Sequence, residues 1–139
     1  LVQEHGKKYG LVVKLLVVDC HNEESARDAR YQAIFSQMDK DDVLLTAHHL
    51  NDQHETFFFR VLRGTSLQGL IGLRKQHVLH GYTVLRPLLD ICKDQILAYA
   101  NSNGLKWVED PSNTNTDIVR NEIRHALTHI KNKKGFLCL

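Results

Sequence analysis

The chain has 139 residues, 42% hydrophobic and 24% charged, with a formal net charge of +2 when its nine histidines are neutral. This is enough chain for one domain with a core, and the ordinary composition excludes collagen-like, low-complexity and wholly disordered classes. The longest apolar run, Leu11 to Val18, is broken by Lys14 and is far too short to cross a bilayer, and polar residues from Gln3 to Lys8 interrupt any signal peptide, so no membrane association is expected.

Val2 to Tyr9 reads as the tail of a helix stopped by Gly10. Leu11 to Val18 is rich in Val with almost no alternation, the pattern of a strand buried on both faces in a parallel sheet. Ser25 to Met38 reads as a helix, with Ser25 or Glu24 as its cap. Val43 to Ala47 is a second short buried strand. Asn51, a good N-cap type, opens a helix through Leu62, ended by Gly64 and carrying Asp52 and Glu55 in its first turn. Ser66 to Leu73 is a Gly-punctuated turn or short helix. His77 to Leu85 reads as an antiparallel strand or hairpin with its turn near Gly81-Tyr82, ended by Pro87. Lys93 to Asn103 is amphipathic and closed by Gly104, Trp107 to Asp117 is irregular, and Ile118 to Lys131 is a last helix. Strands alternating with helices predict an α/β fold with a parallel sheet, whose ligands bind at the carboxyl ends of the strands.

The segment after the second strand reads His48-His49-Leu50-Asn51-Asp52-Gln53-His54-Glu55-Thr56. Asp52 and Glu55 are three apart on one helix face, with His48 in reach at the strand end. Two carboxylates there can serve a Mg²⁺ ion or act as a general base. They can equally be ordinary acidic residues complementing a helix N-terminus, and both readings stand. A zinc site from His48, His49 and His54 is disfavoured, because adjacent strand residues point to opposite faces. Farther on, Asp110-Pro111-Ser112-Asn113 precedes Arg120-Asn121-Glu122-Ile123-Arg124-His125. Arg120 and Arg124, four apart, can hold a nucleotide or RNA phosphate, or stay solvated on a helix surface. Arg60 and Arg63 suit a helix C-terminus without further function. Arg30 is a single candidate for a nucleotide contact. Cys20, Cys92 and Cys138 form no CxxC pair, so reduced thiols are expected, with neither a zinc site nor a disulfide framework.

Taken in order, these stretches resemble the tRNA(Ile)-lysidine synthetases of the N-type ATP pyrophosphatase superfamily. Residues 48–56 are similar to the H-x-x-D-D-Q-x-E-T signature, and Arg63-Gly64-Thr65 with Gly69 and Leu70 to R-G-[ST]-x-x-x-G-L. Arg86-Pro87-Leu88-Leu89 resembles R-P-L-L, residues 107–113 resemble W-x-x-D-P-S-N, and residues 120–125 resemble R-N-x-I-R-H. Arg27 to Tyr31 fits the family's A-R-x-x-R-Y-like helix. The resemblance spans roughly Leu11 to Ile130, and several motifs in order are far more specific than one.

The resemblance implies a Rossmann-like, adenine nucleotide alpha hydrolase-like domain using ATP and Mg²⁺ in the cytoplasm. It would join free L-lysine to C2 of the wobble cytidine of a CAU-anticodon tRNA(Ile) through an adenylated intermediate. Asp52, Glu55 and His48 are the implied catalytic residues, with Asp52 and Glu55 also on Mg²⁺. Arg30, Arg120, Asn121 and Arg124 are the implied phosphate contacts, and a homodimer is a candidate state. Asn51 departs from the family Asp, which removes a charge from that position. The superfamily's S-G-G-x-D-S loop does not occur in the sequence. The expectation is therefore a truncated catalytic domain over residues 1–139, with 118–139 a helical C-terminal segment, itself poorly active. A non-catalytic RNA- or protein-binding remnant, or another tRNA-modifying member such as a 2-thiocytidine synthetase, are the alternatives.

Overall fold

A computed structural model describes residues 2–18, 23–109 and 119–134, with side chains for 2–18, 26–109 and 121–129. The elements in chain order are helix α1 (Val2–Lys8), helix α2 (Glu23–Phe35), strand β1 (Val43–Leu45), helix α3 (Leu50–Arg63) and a 3-10 turn (Gly69–Ile71). Strands β2 (Gln76–Leu79) and β3 (Tyr82–Leu85) follow, then helices α4 (Lys93–Ser102) and α5 (Val119–Lys134). The three strands form one sheet in the order β1-β3-β2. It is mixed, with parallel pairing beside the β2–β3 hairpin.

The hairpin turn is His80-Gly81, one residue earlier than the sequence predicts. Both have positive φ, 50° and 86°. Two left-handed residues in a two-residue loop match the twist of the flanking strands, which is why a glycine stands second. β2 alternates exposed and half-buried residues, and Val84 of β3 is completely buried.

Contacts divide the chain into two compact units, Leu1–Leu44 with Val78–Thr83, and Leu45–His77 with Val84–Leu139. In the first unit, buried Phe35 stacks on Tyr82 at 4.8 Å and on Tyr31 at 5.7 Å, with His80 edge-on at 5.9 Å. Offset aromatic stacking supplies a small unit with large buried area. α2 ends at Phe35 because residues 36–38 wind on with tighter hydrogen bonds, such as Gln37 N–H to Ile34 O at 2.9 Å and Met38 N–H to Phe35 O at 3.2 Å. The predicted caps Glu24 and Ser25 have side chains outside the described residues.

The first predicted strand is corrected by the structure. Residues 11–18 have no regular secondary structure, and Val12, Leu15 and Val17 are 87%, 83% and 86% exposed. A strand buried on both faces needs neighbours to pair its backbone and cover its side chains, and an apolar run by itself provides neither.

In the second unit, α3 packs on α5 and on the 3-10 turn. Val84, Leu89, Cys92 and Ile123 are its buried apolar residues. Cys92 is disulfide-bonded, which corrects the expectation of reduced thiols. Among the described residues, no helix is long and apolar enough to cross a membrane.

Candidate active site

β1 delivers the chain to α3 through Thr46, whose N–H donates to Leu85 O at 3.0 Å and so carries the pairing with β3 one residue past β1. Thr46 Oγ1 lies 2.8 Å from His48 Nδ1, which orients that ring. His49 is extended (φ −123°, ψ 179°) and is the N-cap of α3. Asp52, in the third helical position, accepts the His49 N–H through Oδ2 at 2.8 Å. His49 Nδ1 lies 3.3 Å from the same oxygen without hydrogen-bond alignment. The Asp52 carboxylate thus closes one arm of a capping box, which turns a buried donor into a satisfied one. Its side chain remains 27% exposed, so the group is reachable.

Asn51, the cap expected from the sequence, is already inside the helix. Its Oδ1 accepts the Lys93 N–H at 2.9 Å, at the start of α4.

One turn after Asp52, Glu55 is 8% exposed. Arg124 of α5 grips it with a fork: Nε to Oε1 at 2.7 Å and Nη2 to Oε2 at 3.0 Å. Arg124 Nη1 also donates to Oδ1 of buried Asn121 at 3.4 Å. Hydrogen bonding to Glu55, and then its charge, raises the Arg124 pKa against the opposing effect of burial. The planar guanidinium matches both carboxylate oxygens, so the pair fixes orientation as well as charge. Residues 69 positions apart, from two separate motifs, therefore meet at the first turns of α3.

The Arg124 guanidinium is engaged with Glu55 and with Asn121. The Arg120 side chain and Asp110-Pro111-Ser112-Asn113 lie outside the described residues. Arg30 belongs to α2 in the other unit, where its Nε donates to Ala26 O at 3.2 Å. Among the described residues, no group of three or more His, Cys, Asp and Glu could hold a metal, so the His48, His49, His54 zinc reading finds no support. Both Glu55 oxygens already accept from Arg124, so a Mg²⁺ ion at Glu55 would share them with the guanidinium. Asp52 is the carboxylate left to such an ion, which commonly takes one or two carboxylates together with substrate phosphates.

A supporting layer, unread in the sequence, lies on α3. Gln53 grips the turn after the 3-10 segment twice: Leu73 N–H to Oε1 at 2.6 Å and Nε2–H to Leu73 O at 3.1 Å. Arg60 Nη1 donates to Gly69 O at 2.6 Å and Gly72 O at 3.2 Å. Gly72 has φ +74°, and a Cβ there would stand 2.8 Å from Gln53 Oε1. Arg63 lies over the Phe59 ring at 4.5 Å. Arg86, 3% exposed, donates through Nη1 to Arg74 O at 2.7 Å and reaches His77 Nδ1 at 3.1 Å. Guanidinium has donors only, so that ring nitrogen accepts. The motif letters held the only signal for these roles: Gln53 and Arg86 are motif positions, whereas Arg60 carried no cue beyond charge.

A family model described as the PP-loop domain matches residues 2–130. A tRNA(Ile)-lysidine synthase of Haemophilus influenzae (strain PittEE) is 44% identical over 119 residues, 84% of this chain and 28% of that protein. Enzymes of the same name from Pseudomonas fluorescens (strain Pf0-1) and Alkalilimnicola ehrlichii (strain ATCC BAA-1101 / DSM 17681 / MLHE-1) are each 45% identical over 105 residues, 76% of this chain and 24% of theirs. The chain thus spans about a quarter of the length of these relatives. The match over residues 2–130, carried by a fold that brings the 48–56 and 120–125 segments together at one carboxylate, establishes that the chain belongs to the PP-loop domain family.

Proposed function

We propose that this chain forms part of the catalytic domain of a tRNA(Ile)-lysidine synthetase. The observation that carries the reading is the Glu55–Arg124 fork beside Asp52, which draws two motifs of that resemblance into one site. The similarity to lysidine synthases from three genera supports it.

In the proposed reaction, O2 of the wobble cytidine attacks the α-phosphate of ATP and pyrophosphate leaves. The ε-amine of free lysine then attacks C2. The new C2–N bond forms as the C2–O bond breaks, and AMP departs with the oxygen. The lysine ammonium must lose a proton before attack, and Asp52 is the reachable carboxylate to orient it and take that proton. Glu55, held in orientation by Arg124, offers its remaining lone pairs to the same cation. His48, oriented by Thr46, is the third group at the strand end. Magnesium, carried in on ATP phosphates, would meet Asp52. Arg30, Arg120, Asn121 and Arg124 are the proposed phosphate contacts, with Arg124 also holding Glu55. A homodimer is compatible with this reading.

The test is incorporation of labelled lysine into unmodified CAU-anticodon tRNA by the full-length protein with ATP and Mg²⁺. Asp52→Asn retains an acceptor for the His49 N–H, so the fold should survive while incorporation falls by about 10²-fold or more. Undiminished activity in this variant would remove Asp52 from the mechanism. Absence of labelling by the folded native protein would remove the function.

A further inference from the structure

α4 starts on a residue poorly suited to start a helix. Its N-cap is Cys92, whose sulfur faces the Gln95 N–H in a capping box. Sulfur is a weak acceptor, and the first N–H groups of a helix need oxygen partners. The structure supplies them from elsewhere. Gln95 Oε1 takes the Cys92 N–H at 3.0 Å, and Asn51 Oδ1 takes the Lys93 N–H at 2.9 Å from 42 residues away. Beside this bond, the Leu50 N–H donates to Ile91 O at 3.0 Å. Two bonds of opposite sense therefore join the same two short segments, the first turn of α3 and the entry to α4.

We propose that Asn51 is a positioning residue: its side-chain oxygen caps α4 in trans and so anchors the α3 turn that presents Asp52 and Glu55. The job calls for an acceptor oxygen and not for a charge. Asn and Asp both supply one, so Asn51 in place of the acidic residue of the resembling motif keeps the clamp intact. A metal ligand at this position would bind through the same oxygen that Lys93 N–H already occupies. The clamp stands on geometry alone; its consequence for lysine rests on the proposed function.

The experiment uses the full-length protein with Asn51→Ala, Asn51→Asp and, as a control, Gln95→Ala, which removes the other α4 cap only. Amide hydrogen exchange at Lys93 reads the clamp directly. Asn51→Ala should speed that exchange about tenfold, the size expected for loss of a cap, and Asn51→Asp should restore protection. In the lysine incorporation assay, Asn51→Ala should raise the KM for lysine at least about threefold, the low end of a cap's contribution, with the half-saturating Mg²⁺ unchanged. Asn51→Asp should return KM to the native value, and Gln95→Ala should leave it there. Unchanged Lys93 exchange in Asn51→Ala overturns the clamp. An equal rise in KM from Gln95→Ala reduces Asn51 to a purely structural role and overturns the positioning claim. A large shift in Mg²⁺ requirement on Asn51→Asp makes the position a metal site and overturns it as well. If the native protein forms no lysidine, the function fails while Lys93 exchange still decides the clamp.

Discussion

At the scale of single residues, the carboxylates of α3 divide their labour by environment. Asp52 is partly exposed and satisfies a helix end, whereas Glu55 is buried and depends on one cation. Removing one partner of a buried pair leaves the other uncompensated, at a cost of about 3–5 kcal/mol when both are fully buried. The Arg124 side chain is 39% exposed, so solvent screens part of that loss. Glu55→Gln should therefore destabilise the protein by about 1–3 kcal/mol. Arg124→Met should cost a similar amount, and the double variant less than the sum of the two. Urea unfolding of the four species measures the coupling. Additive losses would mean that the fork contributes nothing beyond its separate groups.

At the scale of elements, α3 serves as a template. One end places Asp52 and Glu55, and its length carries Gln53 and Arg60, which hold the 69–73 turn through backbone atoms. Gly72 is required there by a positive φ and by the Gln53 amide where a Cβ would go. Gly72→Ala meets both obstacles and should cost about 1–3 kcal/mol. A urea midpoint equal to the native one would show that the turn relaxes without loss. The sequence made α3, α4 and the hairpin readable, because helix ends and left-handed turns depend on residues close by in the chain. It misplaced the α3 cap at Asn51, since a residue suited to capping can cap a different helix, and local sequence does not say which N–H its oxygen will meet.

At the scale of the whole molecule, pH acts through His54. Burial lowers its pKa below the ordinary 6.5, so the folded state favours the neutral ring. The unfolded chain then binds the extra proton first as pH falls. Stability is complete above the ordinary histidine value, declines as pH drops through it toward the depressed folded value, and levels off below that. Urea midpoints between pH 7 and pH 5 should fall less steeply in His54→Gln than in the native protein. Parallel slopes would assign the acid sensitivity to other groups.

The sequence by itself determined the family, through motifs whose order and spacing survive as letters, and most of the local elements. It marked Asp52, Glu55 and Arg124 as chemically apt without joining them. Only the tertiary structure decided that Arg124 faces Glu55, that Asn51 serves α4, and that residues 11–18 form no strand among the described elements. The physical reason is common to all three. A fork, a cap in trans and a buried strand each need a partner distant in the chain, and local sequence specifies a group's capacity to bond without specifying what it meets.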